Sequence, residues 1–132
     1  MHIRPFTGQD YEPVAEINTL ITPERPITGP FLARLDAERE PHLLHGRFVA
    51  EEDRRVVGVA GYGQWADILV PGEVFVYVRV HPAFQRRGFG AALYEALLDR
   101  LRRLGIDSMK VTLASDRLPG INFAMRRGFI EY

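Results

Sequence analysis

Midway along the chain the hydrophobic pattern switches period without a linker. Residues 74–80, Val-Phe-Val-Tyr-Val-Arg-Val, are β-branched or aromatic with no breaker, which predicts a buried strand. Pro82 ends it, having no N–H to donate and holding the preceding residue extended. Residues 85–90, Gln-Arg-Arg-Gly-Phe-Gly, form a short turn with two glycines. From Ala91 onward Leu93, Leu97, Leu98, Leu101 and Leu104 recur at helical spacing, and Gly105 stops the helix. The first turn of such a helix has free backbone N–H groups and a positive dipole end. Glycines at 88 and 90 let an anion come close, so the turn reads as a phosphate site.

The flanking segments are patterned as well. Residues 2–6 predict a first strand. Thr7 and Asp10 have capping-box spacing ahead of Val14, Ile17, Leu20 and Ile21 on one helical face. Residues 22–30 hold three prolines and a glycine and read as a loop. Thr28 or Gly29 then caps a second helix, with Pro30 in its first turn, Phe31, Leu32 and Leu35 inward, and Pro41 as its end. Residues 48–51 and 56–62 predict a hairpin around the polar turn 52–55, and residues 63–72 a loop with the only tryptophan, Trp65. Beyond the long helix come a strand at 109–114, a short helix at 119–127 ending at Gly128, and the opening of a last strand at 129–132. The order β-α-α-β-β-β-α-β-α-β predicts a mixed α/β (α+β) sheet with helices on both faces.

Composition narrows the function. At 132 residues the chain is expected to be one domain, 1–132, burying roughly two-thirds of its unfolded surface. Its formal net charge is zero, so nothing favours nucleic acid or a membrane surface. No apolar run approaches the ~20 residues of a transmembrane helix, and the N-terminus lacks a signal-peptide core, so a cytoplasmic location is expected. Without cysteine there is no disulfide, thiolate metal site or cysteine nucleophile. His42 and His45 have metal-compatible spacing, but no carboxylate or cysteine clusters beside them, and no metal is expected.

Three kinds of phosphate loop suit a strand–glycine–helix arrangement. A Walker loop needs Lys-Ser or Lys-Thr, and neither pair occurs. A dinucleotide fingerprint needs a third small residue where Leu93 stands, and belongs to the first strand of its unit. The third is Gln/Arg-x-x-Gly-x-Gly/Ala after a Val-x-Val-x-Pro strand, satisfied by Gln85, Gly88 and Gly90 behind Val78, Val80 and Pro82. This span resembles the central motif of the GNAT superfamily of acyl-CoA N-acyltransferases. Phe123 and the Arg-Arg-Gly128-Phe129 ending look like the family's second motif, and the element order agrees from the first strand to Phe129.

The resemblance implies a central, mostly antiparallel sheet and acetyl-CoA as acyl donor. Val78, Arg79 and Val80 would offer backbone groups to the pantetheine arm and thioester. Arg86, Arg87, Gly88, Phe89, Gly90 and Ala91 would hold the pyrophosphate mainly through backbone N–H, with Gln85 shaping the turn. The acceptor would be a primary amine of a small molecule or protein. Family members usually continue for two more strands. The expectation is therefore a fragment of a longer or tandem protein, or a sheet completed by a second domain or a homodimer partner.

The chemical groups are less well marked. The family's tyrosine acid falls on Ala124, an asparagine often present falls on Arg117, and carboxylate bases fall near Thr112 or on Val74. Glu73 and Tyr77 are the remaining catalytic candidates, with strand alternation pointing Glu73 away from the Val74 face. Trp65 and Tyr62 either line an acceptor pocket or pack on the core. Two readings of different class follow: an N-acetyltransferase, or a catalytically silent acyl-CoA-binding domain serving a partner. A nucleotide-phosphate module is a third, in which ATP would compete with CoA.

Overall fold

The computed structural model describes residues 2–64, 71–106 and 108–111. The helix at 119–127, the strand at 129–132, Thr112, Arg117, Ala124 and Trp65 lie outside the described residues. Among the described residues five strands lie side by side in chain order: β1 (His2–Pro5), β2 (His45–Glu52), β3 (Arg55–Gly63), β4 (Glu73–Val80) and β5 (Ser108–Val111). Neighbours are antiparallel except β4 and β5, which are parallel and bridged by a helix.

Helix α3 (Phe89–Arg103) covers one face of the sheet. Phe89, Leu93, Leu97 and Leu101 form its buried stripe and meet Ala50, Val57, Ala60, Val74 and Val76. Full burial of one such leucine contributes about 1.5–3 kcal/mol. The helix ends in a Schellman arrangement: Gly105 takes φ +74°, and Ile106 N–H donates to Leu101 C=O at 3.0 Å. Helices α1 (Tyr11–Ile21) and α2 (Gly29–Ala37) cover the other face, where Val14 and Leu32 pack on Val49 and Val59. Helices on both faces of a mostly antiparallel sheet match the expectation.

Several boundaries move. Helix α3 starts at Phe89, two residues before the expected Ala91, because left-handed Gly88 is its cap. Strand β2 begins at His45 rather than Phe48. Gly46 makes room there for the Tyr62 ring, since a Cβ would stand 2.6 Å from the hydroxyl. The hairpin turns on Asp53 (φ +51°) and Arg54 (φ +64°) alone. The register slips by one between Ala50 and Glu51, with Val57 as the extra residue. Of the central strand only Val74 and Val76 are buried, so the expected buried strand is half-buried from Tyr77 onward. Leu20, Phe31 and Leu35, expected inward, are 46%, 41% and 42% exposed. Thr28, not Gly29, caps α2, its Oγ1 accepting the Phe31 N–H at 3.2 Å. That helix stops at Ala37, short of Pro41.

Two ion pairs tie the helices of the second face to the sheet. Arg4 of β1 forks onto Asp10, with both nitrogens at 2.8 Å, and also contacts Glu51. Asp10 is 3% exposed and also accepts the Thr7 N–H at 2.7 Å. Arg4 holds the Asp10 carboxyl below its usual range. Burial alone would raise the carboxyl of Asp36, but the bonds and charge of Arg47 prevail and lower it. Burial and the nearby Arg39 lower His45. All three groups release protons more readily in the folded state, so their contribution is present at high pH and lost on acidification. Stability is expected to decline first below about pH 6.5 as unfolded-state His45 protonates, then more steeply below about pH 4 as the two aspartates do. Urea midpoints between pH 3 and 8 test this; a midpoint that is constant down to pH 3 would contradict it.

Candidate functional site

The end of β4 and the start of α3 form one continuous structure. His81 leaves the strand, its N–H donating to Val57 C=O at 2.8 Å, and Pro82–Phe84 make a single 3-10 turn. Gln85 Nε2 then reaches back to the Val80 carbonyl at 3.1 Å and closes the turn, so that carbonyl already has a donor. Arg86 at φ +65° and Gly88 at φ +90° flank Arg87, which is not left-handed, and such alternation aims successive amides into one concavity. Ala92 N–H makes the first helical bond, to Gly88 C=O at 3.1 Å. The amides of Phe89, Gly90 and Ala91 lie ahead of it at the positive end of the helix.

The two glycines have different causes. Gly88 is required by its backbone conformation. A Cβ on Gly90 would meet only Val80 Cγ2, at 3.8 Å, so the fold itself does not need a glycine there. The backbone at the mouth of α3 is thus uncrowded on that side. Phe89 has only its backbone to offer there, since its side chain is 2% exposed in the core. Arg86 is exposed, whereas Arg87 turns away from the mouth, over the Phe84 ring and 3.7 Å from Glu52.

Strand alternation sorts the β4 residues. The His81 bond puts N–H and C=O of the odd-numbered residues towards β3, so those of Arg79 belong to that ladder. Val78 turns its N–H and C=O to the β5 side, beyond the last described pair, Val76 with Val111. Of the three residues expected to offer backbone groups, Val78 and Val80 thus turn theirs to the β5 side, and Arg79 turns its own to β3. Side chains follow the same rule: Val74, Val76, Val78 and Val80 face α3, while Tyr77 packs on the opposite cluster.

Both catalytic candidates are engaged. Glu73 pairs with Lys110 at 3.3 Å and accepts from Ser108 Oγ at 3.1 Å, about 13 Å down the strand from Tyr77. Arg47, Gly61 and Tyr77 stand in one row across β2, β3 and β4. A Cβ on Gly61 would lie 2.4 Å from the phenol ring, so its absence lets Tyr77 cross β3. The hydroxyl accepts from Arg47 Nε at 3.0 Å, on the side away from β5, and Arg79 lies over the ring at 4.5 Å. Val74, at the family's base position, is fully buried beneath α3. Tyr62 is core rather than pocket wall, 7% exposed with its hydroxyl facing Arg100 at 3.4 Å. His42 pairs with Glu40 at 3.4 Å, and His45 lies on β2.

On the second face an open groove of about 530 Å³ runs between α1 and the loop before α2, with Glu12, Glu16, Thr19, Leu20, Ile27 and Thr28 among its walls. Thr19 Oγ1 fixes the loop by donating to Ile27 C=O at 3.1 Å and accepting its N–H at 2.9 Å. Among the described residues no helix is long and apolar enough to cross a membrane.

Residues 11–129 match the model of the Acetyltransferase (GNAT) family. The chain is 34% identical over 86 residues to the L-methionine sulfoximine/L-methionine sulfone acetyltransferase of Salmonella typhimurium, covering 61% of this chain and 48% of that protein. It is 40% identical over 86 residues to the L-2,4-diaminobutyric acid acetyltransferase of Nocardia farcinica, covering 61% of this chain and 43% of that protein. The chain thus spans about half the length of these curated relatives. A putative acetyltransferase from Salmonella typhimurium, solved with its cofactor acetyl-CoA, superposes with a TM-score of 0.80 at 27% identity over 98% of this chain and 79% of that one.

Proposed function

Because this chain belongs to the GNAT acetyltransferase family, we propose that it moves an acetyl group from acetyl-CoA to a primary amine on a small molecule or a protein. The observation that supports this most is the mouth of α3, where three amides precede the first helical bond beside left-handed Gly88. Residues 86–91 would hold the pyrophosphate, and the Val78 backbone the pantetheine arm. Acetyl-CoA supplies the activated acyl group. A backbone N–H on β4 would stabilise the charge that develops on the acyl oxygen. With no cysteine for a thioester intermediate, the amine would attack directly. A thiol of pKa ~8.5 leaves near neutral pH without a dedicated acid. The groove beside Glu12 and Glu16 is the proposed approach for an ammonium-bearing acceptor, and water its route of proton loss. The proposed setting is the cytoplasm, with residues 1–132 acting as one domain.

Tyr77→Phe and Glu73→Gln are therefore expected to keep turnover within about threefold of the parent, whereas loss of a true general acid or base costs about a hundredfold or more. Steady-state thiol release reads this directly. The second reading, binding without transfer, is favoured by buried Val74 at the base position and by the partners that Glu73 and Tyr77 already have. Free-thiol release from acetyl-CoA across a panel of amines separates the two. Amine-dependent release supports transfer; CoA binding without release under every amine supports the silent domain.

A further inference from the structure

A second cationic feature lies beside the phosphate turn, built by the opposite end of the β2–β3 hairpin. Arg55, the first residue of β3, brings Nη2 to 3.2 Å from Nε2 of His81. The other ring nitrogen, Nδ1, accepts the Ala83 N–H at 3.1 Å and so keeps its lone pair. The ring proton of the neutral imidazole must then sit on Nε2. Two donors face one another, and among the described residues neither has an acceptor. The Arg55 guanidinium lies over the Phe84 ring at 5.4 Å, and Arg87 over the same ring at 5.2 Å. Among the described residues Glu52 offsets part of this charge, 3.7 Å from Arg87 and partly exposed. Phe84 packs edge-on against buried Phe89 at 6.2 Å, so both cations are fixed to the first residue of α3.

We propose that Arg55 and His81 bind the 3′-phosphate of the acyl-CoA nucleotide and make the protein selective for CoA over its 3′-dephosphorylated form. This rests on the acyl-CoA reading above. A phosphate monoester is an all-acceptor dianion able to take both N–H groups at once, and guanidinium is its best-matched partner. The ring beneath Arg55 pre-orients that fork, and its proximity to Arg87 leaves local positive charge unmatched.

Calorimetric titration of CoA and 3′-dephospho-CoA into the parent protein, Arg55→Met and Arg55→Lys tests the assignment. The parent is expected to prefer CoA by about tenfold or more. Arg55→Met should erase the preference while leaving dephospho-CoA affinity unchanged, and Arg55→Lys should keep part of it. Inorganic phosphate at constant ionic strength should weaken CoA binding more than dephospho-CoA binding. Equal affinities in the parent, equal competition by phosphate, or a parallel loss of both ligands in Arg55→Met would overturn the proposal while leaving the acyl-CoA reading intact. A parent protein that binds neither ligand would remove both.

Discussion

Gly88→Asp is expected to abolish CoA binding and leave a folded protein. A carboxylate placed about 4 Å from a phosphate costs on the order of 4 kcal/mol at a protein surface, or about a thousandfold in affinity. The fold should survive at a cost, because any side chain at φ +90° is strained by about 1–2 kcal/mol, and aspartate enters the left-handed region more readily than most residues. Gly90→Ala is the contrasting variant. Its Cβ meets only Val80 at 3.8 Å and the motif accepts alanine at this place, so stability should hold or rise and CoA affinity should stay within about threefold of the parent. Calorimetry for affinity and near-ultraviolet dichroism for the fold read both. A folded Gly88→Asp protein with parental affinity would take the turn out of the donor site.

Asp36→Ala is expected to destabilise the protein by about 3–5 kcal/mol. Arg47 and Asp36 are each 10% exposed and face one another through a double contact. Tyr11 donates to Asp36 at 2.9 Å, Arg39 stands 4.0 Å away, and Arg47 also lies over Phe6 at 5.1 Å. Removing the carboxylate strands a buried cation and a phenol together. Adding Arg47→Met should recover part of the loss, because the stranded charge goes too. Urea unfolding of both variants is the measurement. A loss under 1 kcal/mol in Asp36→Ala would show that the pair is solvated.

That network also marks the limit of what could be read from the chain. Strand β4, the Gln85–Gly90 turn and α3 were legible because each is a local pattern: alternating valines, paired glycines, leucines at helical spacing. Phe89 reads as part of the turn because it stands between two glycines, although its burial begins the helix stripe. Leu20, Phe31 and Leu35 fit an apolar helical face because periodicity cannot tell a face covered by the sheet from one left partly open, and Leu20 lines the groove beside α1 instead. The Asp36–Arg47–Tyr77 row and the Arg55–His81 pair were not legible at all. Each joins residues from separate elements, and nothing local distinguishes a buried guanidinium from a solvated one. Glycines at 46 and 61 were the one available signal, since a glycine within a strand often marks a ring lying across it.

The sheet's spatial order repeats the order of the chain. Strands β2, β3 and β4 are therefore a meander of short closures that can collapse early, while β5 must wait for the whole of α3 to cross. The proposed donor cradle lies on that crossover, so it is expected to form after the meander rather than with it. Slow maturation of ligand binding, lagging behind hairpin formation in a refolding experiment, is the kinetic signature of that order.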